Sequence, residues 1–182
     1  MDLAQRAGKW TLARLADLPR DGNRYEVIDG NLIVSPPPPP WHQAVGSLLL
    51  VQLIAQCPPD WLAVYESYVD YGGDGRVPDL LVVRRDALRR RGQLAYQPGE
   101  VGLAVEIVSP SSRRTDRLAK PAEYAEVGIP LMWRVELEPQ LVVHPFRLEQ
   151  GSWIAEPPVD NIGTAVVPWG SADIDLTELR EE

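Results

Sequence analysis

Residues 101–108, with the sequence Val-Gly-Leu-Ala-Val-Glu-Ile-Val, constrain the fold more than any other part of this chain. Glu106 alone interrupts a segment that is otherwise apolar or glycine. A run of this kind, without polar alternation, is typical of a strand covered on both faces. We therefore predict a layered domain with residues 101–108 in the middle of its sheet.

Turn and periodicity signals predict further elements on both sides of this strand. Asp29-Gly30 separates two β-prone segments, which is the strongest short-range signal of a hairpin. In order along the chain, we predict a short helix over 12–18, a hairpin of 24–28 and 31–35, a core helix over 41–56, a hairpin of 61–71 and 77–83, the strand 101–108, a helix over 113–127, and a meander of 131–137, 141–148 and 153–155. This order predicts an α/β fold with a mixed central β-sheet flanked by helices and with additional N-terminal and C-terminal β-hairpins.

Five consecutive prolines, 36–40, connect the first hairpin to the core helix. Such a run is extended, stiff and unable to donate backbone hydrogen bonds. A rigid connector is the simpler interpretation, and a ligand for an aromatic groove of another protein is the alternative.

The composition fits one globular domain. The chain has 182 residues, 45% of them hydrophobic, and a formal net charge of −8. A chain of this length buries enough apolar surface to fold without disulfides, and its lone cysteine, Cys57, can form none within the chain. We interpret Cys57 as a packed thiol and expect a single domain over 1–182, in which 156–182 has the weakest pattern.

The cellular location is predicted from the apolar segments of the sequence. The longest apolar stretch, 45–55, is shorter than a membrane span, and the first ten residues contain no apolar signal segment. We expect a cytoplasmic protein that does not associate with membranes.

The excess of acidic over basic residues argues against a protein that coats nucleic acid through a basic surface, although it does not exclude a local DNA site.

Glu106 is the first candidate for a residue of a functional site, because the strand around it is predicted to be buried. An ionised carboxylate buried without a partner is costly, so we expect a positive partner close by. A metal ion and an ordinary ion pair with an arginine are the two alternatives.

Asp79 is the second candidate, since it follows Pro78 at the start of another apolar segment. If Asp79 and Glu106 lie on adjacent strands with their side chains on the same face, two hard oxygen ligands converge. Such a pair suits Mg²⁺. A turn or capping role is the alternative for Asp79 alone.

Lys120 is the third candidate. Only two of the 18 basic residues are lysines, Lys9 and Lys120. Lysine offers a compact charge with a tunable pKa, which arginine lacks. Lys120 is therefore a candidate for activating water or for stabilising charge on a phosphate, and the chance placement of a surface lysine is the alternative.

Several ordered motifs resemble those of one family. They are Arg24-Tyr-Glu-Val-Ile-Asp-Gly30, the Ser35-Pro-Pro run leading to His42, Val77-Pro-Asp79, Val105-Glu106 through Ser112, Asp116-Arg117 with Lys120, Tyr124, and Gly128-Ile-Pro130 before Trp133. Over residues 10–150 the chain resembles the Uma-type putative restriction-endonuclease-like family of the PD-(D/E)xK nuclease superfamily. The resemblance implies a restriction-endonuclease-like fold, with an active site where a strand pair opens.

The resemblance also implies site residues. Asp79 and Glu106 match the family's metal ligands, for which Mg²⁺ is the expected cofactor and Mn²⁺ a substitute. Val108 stands where the usual lysine follows the glutamate. The family pattern therefore assigns the lysine's role to Lys120 and offers the main-chain carbonyl of Val108 as a further metal ligand.

Two more residues match family positions, and two depart from them. His42, at the head of the core helix, and Glu26, in the first hairpin, match the catalytic set, with capping or packing as the alternative for His42. Asn31 stands where the family commonly has glutamate. Pro121 follows Lys120 inside the predicted helix and favours a kink or a late helix start, which affects the direction of the lysine side chain.

These observations lead to two hypotheses about function. The first is a Mg²⁺-dependent endonuclease that hydrolyses DNA, in which Arg113, Arg114 and Arg117 bind backbone phosphates and a homodimer cuts both strands. The second is a catalytically inactive binding or regulatory module on the same scaffold, which the net charge of −8 and the departures at Asn31 and Pro121 favour. We interpret the other basic cluster, at 84–91, as a solvated charged face.

Overall fold

The computed structural model describes residues 9–19, 21–90, 92–110 and 112–179. Within these residues the strands are β1 Arg24–Ile28, β2 Asn31–Ser35, β3 Trp61–Tyr65, β4 Val69–Asp70, β5 Gly75–Arg76, β6 Leu80–Arg84, β7 Val101–Val108, β8 Leu131–Glu136, β9 Val142–Glu149, β10 Ser152–Ala155, β11 Ile162–Val167 and β12 Gly170–Asp175. The main helices are α1 Pro40–Gln56 and α2 Lys120–Glu126, with a 3₁₀ helix at Leu12–Asp17 and one turn of π-helix at Thr115–Ala119 directly before α2. In this part of the chain, no helix has the length and apolarity needed to cross a membrane.

β7 lies near the middle of the largest sheet. The six strands follow the order β10-β9-β8-β7-β6-β3, and β7 pairs antiparallel with β6 and parallel with β8. Every residue of β7 is buried, so the prediction of a strand covered on both faces is confirmed. Hairpins β1–β2 and β11–β12 lie outside this sheet. The predicted fold class, a mixed α/β fold with additional hairpins, is also confirmed. The meander predicted over 131–155 forms β8, β9 and β10 of the central sheet, whereas the hairpin β11–β12 was not predicted from the sequence.

α1 covers one face of the central sheet. Its side chains Val45, Leu49 and Leu53 are fully buried in the same apolar cluster as Val105 and Ile107 of β7. The C-terminal hairpin β11–β12 contributes to this cluster too. The predicted core helix therefore has the role that its apolar spacing indicated.

Two glutamines of α1 attach the C-terminal hairpin to the helix. The side-chain amide of Gln52 donates to the carbonyl of Asp175 at 2.7 Å and accepts from its N–H at 2.9 Å. Gln56 donates to the carbonyl of Asp173 at 2.9 Å and accepts from its N–H at 2.7 Å. Because the glutamines lie one helical turn apart, they satisfy alternate residues along the edge of β12.

The antiparallel pairing predicted for 61–71 and 77–83 is present between β3 and β6, but the structure corrects the bounds of both strands. The first segment divides into β3 and β4, which belong to different sheets, and β6 begins only at Leu80. Glu66, between β3 and β4, has a φ of 39°, a left-handed conformation that ends an extended strand. Pro78 has no N–H to donate to a ladder, so pairing starts after it.

Residues 113–126 are helical, as predicted over 113–127, with one turn of π-helix at Thr115–Ala119 before α2 starts at Lys120. Pro121 lies in the first turn of α2, directly after the π-helical turn. The helix therefore does not start late at Pro121 but is irregular just before it, since proline has no N–H to donate to a regular helical ladder.

Candidate active site

Asp79 and Glu106 lie opposite each other at the end of the β6–β7 pair. Leu80 pairs with Val105 in antiparallel register, and continuing that register by one residue places Asp79 across from Glu106. Opposite residues of an antiparallel pair point to the same face of the sheet. The backbone N–H of Ile107 donates to Oδ2 of Asp79 at 2.7 Å. The structure thus brings the two carboxylates together.

Asp79 is surrounded by donors and has an exposed fraction of only 2%. Arg24 in β1 donates to Oδ1 of Asp79 at 2.8 Å, and Nε2 of His42 lies 3.3 Å from Oδ2. Burial opposes ionisation, but the hydrogen bond from His42 and the charges of Lys120 and Arg24 outweigh it and hold the pKa of Asp79 below its ordinary value. Asp79 is therefore an anion at neutral pH.

Glu106 is fully buried, and α2 provides a donor for each of its oxygens. Nζ of Lys120 donates to Oε2 at 2.5 Å, and the hydroxyl of Tyr124 donates to Oε1. Burial raises the pKa of Glu106 to about 8, although the ammonium of Lys120 opposes that shift. The cationic partner expected for this carboxylate is thus a lysine from the following helix rather than an arginine.

Lys120 points into the site despite the proline that follows it. Its side chain is buried, and Nζ lies 3.0 Å from Oδ1 of Asp116 in addition to its contact with Glu106. Burial alone lowers the pKa of a lysine, but the carboxylates of Glu106 and Asp116 outweigh burial and raise the pKa of Lys120. The ammonium is charged at neutral pH, so it is suited to stabilising negative charge rather than to accepting a proton.

His42 and Glu26 make contacts that fix the backbone segments around Asp79. Nε2 of His42 lies 3.0 Å from the carbonyl oxygen of Ile107, so this ring connects α1 to β7 as well as to Asp79. Among the described residues, Nδ1 of His42 is buried without a hydrogen-bond partner. Oε1 of Glu26 accepts a hydrogen bond from the N–H of Val77 at 2.9 Å. Glu26 therefore fixes the segment that leads into Asp79.

Arg24, His42, Asp79 and Lys120 line one cleft with a volume of about 450 Å³, whereas Glu106 is fully buried behind its wall. The polar side chains on its wall are Arg24, Glu26, Ser35, His42, Arg76, Asp79, Ser109, Ser112, Thr115, Asp116 and Lys120. Four prolines, 36–39, line the cleft as well. The proline run is thus both a connector and a rigid part of the cleft wall, because proline has little conformational freedom.

The structure separates Val108 from this cleft. Val108 lines a different groove, together with Trp41 and Leu137, whereas Ile107 lines the cleft. In the part of the chain that the structure describes, no three His, Cys, Asp or Glu side chains are grouped so as to hold a metal ion. A divalent cation at the carboxylate pair would therefore need backbone or water oxygens as further ligands.

The predicted phosphate-binding arginines lie on the segment before α2 and contact acidic side chains. Arg113 pairs with Glu138 at 2.6 Å, and Arg117 makes two hydrogen bonds to Glu136 at 2.8 and 2.9 Å. Arg114 is exposed on the same segment. The positive charge of this cluster is thus partly neutralised.

The basic cluster at 84–91 makes surface contacts. Arg85 donates to the carbonyls of Pro59 at 2.7 Å and Trp61 at 3.1 Å, and Arg90 pairs with Glu100. Arg91 lies outside the described residues. These contacts connect neighbouring loops and strands on the surface.

Asn31, which departs from the family pattern, is exposed in the turn of the first hairpin. Its amide donates to the carbonyls of Ile28 at 3.2 Å and Asp29 at 3.3 Å. Asn31 therefore acts as a turn residue, since asparagine side chains often bond to nearby backbone groups in turns.

Three groups of this site, Arg24, Asp116 and Tyr124, belong to the motifs that carry the family resemblance, but no role in the site was predicted for them. Asp116 and Tyr124 lie four residues before and after Lys120, a spacing that places side chains on one face of a helix. Their contacts could have been derived once Lys120 was a candidate. Arg24 carries no such signal, because it contacts Asp79 across 55 positions of the chain.

Comparisons with known proteins agree with this architecture. The model of the Uma2 family, described as a putative restriction endonuclease, matches residues 12–168. A crystal structure of a putative nuclease belonging to DUF820 from Anabaena variabilis ATCC 29413 is similar, with a TM-score of 0.62 and 22% sequence identity over 83% of this chain and 84% of that chain. No functionally curated protein matches this chain. The family resemblance and the fold predicted from the sequence are confirmed.

Proposed function

The chain belongs to the Uma2 family, described as putative restriction endonucleases, and we propose that it is a metal-dependent endonuclease that hydrolyses phosphodiester bonds of DNA. The observation that carries this proposal is the convergence of Asp79 and Glu106 from adjacent strands, with the ammonium of Lys120 against Glu106. Metal-binding carboxylates and a fixed positive charge are groups that phosphodiester hydrolysis can use.

Asp79 and Glu106 are the residues that would hold Mg²⁺, or Mn²⁺ in its place. Hard cations prefer carboxylate and carbonyl oxygens, and a carboxylate oxygen keeps a second lone pair beyond the hydrogen bond it accepts. The carbonyl of Ile107, on the cleft wall, is a candidate for a third ligand. When bound, the cation lowers the pKa of a coordinated water and neutralises phosphate charge.

The charge balance of the cleft supports a dependence on a cation. Three basic and three acidic side chains share the cleft wall, so their formal charges cancel. A polyanion such as DNA gains little attraction from a balanced wall and gains more when a divalent cation is present. We therefore expect DNA and the cation to bind together.

Lys120 would stabilise the negative charge that develops on the phosphate. Its ammonium is held by Glu106 and Asp116, so its position is fixed before DNA binds. A charge fixed in advance needs no reorganisation during the reaction. His42 would keep the carboxylate of Asp79 in position through its Nε2 contact.

The arginines before α2 would contact the DNA backbone beside the cleft. Arg113 and Arg117 would have to exchange Glu138 and Glu136 for phosphate groups, and exposed ion pairs are weak enough to allow this exchange. Arg114 would add a further contact. Contacts to phosphate position DNA without selecting its sequence.

Cleavage of supercoiled plasmid DNA tests the proposal. With Mg²⁺ or Mn²⁺ the wild-type protein converts the plasmid to nicked or linear forms. Asp79→Asn and Glu106→Gln lower the rate by at least about 100-fold, because each removes an anionic ligand of the cation that would neutralise charge at the reacting phosphate. Glu149→Gln, an exposed position in β9, is the matched control and keeps the activity. Full activity in the Asp79 and Glu106 variants would reject the proposal.

A catalytically inactive binding or regulatory module is the second candidate function. It is favoured by the observation that Asp79 and Glu106 already pair with Arg24 and Lys120. A divalent cation would therefore have to compete with Arg24 for Asp79. Calorimetric titration with Mn²⁺ separates the two functions: an endonuclease binds Mn²⁺ and loses this binding in Asp79→Asn, whereas the inactive module gives the same negligible heat in both proteins.

A further inference from the structure

Arg24 shares one guanidinium between two carboxylates on the wall of the cleft. Its Nη2 donates to Oδ1 of Asp79 at 2.8 Å and also to Oε1 of Glu66. The exposed fraction of the side chain is 2% for Asp79, 16% for Arg24 and 33% for Glu66. The guanidinium therefore has one buried partner and one partner in contact with solvent.

The two oxygens of Asp79 differ in their surroundings. Oδ2 accepts a hydrogen bond from the N–H of Ile107 and lies 3.3 Å from Nε2 of His42, so groups of β7 and α1 hold it. Of the residues that the structure describes, only Arg24 hydrogen-bonds to Oδ1. Oδ1 is thus the oxygen that an entering cation can take, provided that the guanidinium moves away.

Glu66 is fixed beside Asp79 through the backbone. Its N–H donates to the carbonyl oxygen of Asp79 at 3.1 Å, and its φ of 39° lies in the left-handed region. Glycine and asparagine adopt this conformation more readily than glutamate does. Residues held in sparsely populated conformations cluster at functional sites, so a glutamate at this position indicates a role for its side chain. That side chain contacts Arg24.

We propose that Arg24 is an exchangeable counterion of Asp79, which neutralises Oδ1 until a divalent cation binds there and then keeps only Glu66. A guanidinium is always charged, so Arg24 and a cation repel each other at the same oxygen. Glu66 already contacts Arg24, so release from Asp79 does not leave the guanidinium unpaired. The exchange rests on the proposed metal-dependent function and describes how its cation site is regulated.

The exchange couples the cation to DNA. A guanidinium released from Asp79 remains beside the cleft, where a phosphate group is a bidentate partner for it. Phosphate binding then favours the displaced position of Arg24. Because coupling between two ligands is reciprocal, phosphate also raises the affinity for the cation. The free protein would therefore bind the cation weakly and bind it more tightly together with its substrate.

Calorimetric titration of the full chain with Mn²⁺ tests the exchange without reference to cleavage. Arg24→Gln removes the competing charge and lowers the dissociation constant of Mn²⁺ at least about tenfold. Glu66→Gln weakens the alternative partner, so Arg24 stays on Asp79 and the dissociation constant rises at least about threefold. Arg147→Gln, at an exposed arginine that pairs with Glu156 at 3.1 Å, is the matched control and binds Mn²⁺ like the wild type.

The sign of the change separates the exchange from a merely structural role of Arg24. If Arg24 only anchored Asp79, its removal would weaken Mn²⁺ binding. A wild-type protein that binds Mn²⁺, together with an unchanged or higher dissociation constant in Arg24→Gln, would overturn the exchange and leave the proposed endonuclease intact. An unchanged dissociation constant in Glu66→Gln would overturn the exchange as well. Absence of Mn²⁺ binding in every variant would overturn both proposals.

Thermal unfolding provides a second measurement, because removal of Arg24 also affects stability. Mn²⁺ raises the melting temperature of Arg24→Gln more than that of the wild type, since a ligand stabilises the folded state according to its affinity. An equal or smaller rise would contradict the exchange.

Dimethyl phosphate, a small phosphodiester, is the probe for the coupling to substrate. In its presence the dissociation constant of Mn²⁺ falls for the wild type and falls less for Arg24→Gln, in which no guanidinium has to be displaced. Equal effects in the two proteins would show that phosphate acts without Arg24 and would overturn the coupling.

Discussion

The two faces of the β6–β7 strand pair differ in what they bury. On one face, Leu80, Val82 and Val105 share an apolar cluster with α1. The other face buries a second apolar cluster along most of its length, and only its end holds Asp79 and Glu106, which are buried among charged partners. Because side chains alternate along a strand, a single strand pair provides both environments. The fold thereby separates the residues that stabilise it from those that carry the candidate chemistry.

The difference between the two faces of the β6–β7 pair has an energetic basis. Burial of apolar surface stabilises a fold by about 25 cal/mol for each Å² removed from water. Burial of an ion pair contributes little, because the loss of hydration of both charges opposes their attraction. Proteins retain such groups where function requires them, even at a cost in stability. Substitutions on the two faces should therefore affect stability and activity differently.

The largest effect on stability is expected from Lys120→Met. This change leaves the buried carboxylates of Glu106 and Asp116 without their shared cation, which lowers the free energy of unfolding by about 3–5 kcal/mol. Urea unfolding at neutral pH measures the change. Lys9→Met, at the other lysine of the chain, is exposed and serves as the control, with a change within about 0.5 kcal/mol. Equal effects of the two variants would contradict the assignment of a buried ion pair.

A loss of about 2–4 kcal/mol is expected from Leu49→Ala on the apolar face. The side chain is fully buried between α1 and the sheet, so truncation leaves a cavity. Urea unfolding gives the loss, and the cleavage rate per folded molecule stays at the wild-type value. Leu118→Ala, at a position 66% exposed, is the control. A Leu49→Ala protein that is stable but inactive would contradict the separation of the two faces.

Glu106→Gln is expected to lower the free energy of unfolding by about 1–3 kcal/mol. The amide oxygen still accepts from Tyr124, but the amide nitrogen is a donor and cannot accept from Nζ of Lys120, which keeps only its contact with Asp116. Thermal unfolding measures this change in stability, and the plasmid assay measures the loss of cleavage in the same variant. Strong destabilisation of Glu106→Gln would show that the ionised carboxylate holds the fold together.

The smallest effect is expected from Arg117→Gln. Burial acts to raise the pKa of Glu136, but the hydrogen bonds and charge of Arg117 outweigh burial and lower it. A carboxyl group whose pKa is lowered by folding stabilises the protein above its unfolded pKa and loses this contribution as the pH falls through the folded value. The variant is therefore slightly less stable than the wild type near neutral pH and equally stable in strong acid. Urea titrations at both pH values measure the difference, and a difference that grows on acidification would contradict the sign.

Much of the fold could be predicted where sequence signals are local. The bounds of β1, β2 and β7 were predicted to the residue, because a two-residue turn and an uninterrupted apolar run define them. The break between β3 and β4 was missed, since the left-handed conformation of Glu66 depends on tertiary contacts. Sequence patterns describe neighbouring residues well, whereas contacts between distant segments override them.

In the candidate site too, contacts between distant segments could not be predicted from sequence patterns. Asp79 and Glu106 could be paired in advance because each interrupts or begins an apolar strand. The partners of Arg113 and Arg117 could not, because Glu138 and Glu136 reach them only through the packing of β8 beside β7. Charge runs in a sequence therefore overstate the positive surface that a folded protein presents.

The pairing of Gln52 and Gln56 with β12 has a consequence for how this protein behaves when it is partly unfolded. An edge strand with open N–H and C=O groups invites addition of a strand from another molecule. Here two amide side chains occupy those groups at Asp173 and Asp175. Detachment of the helix would expose this edge, so α1 protects the C-terminal hairpin from aggregation as well as covering the core.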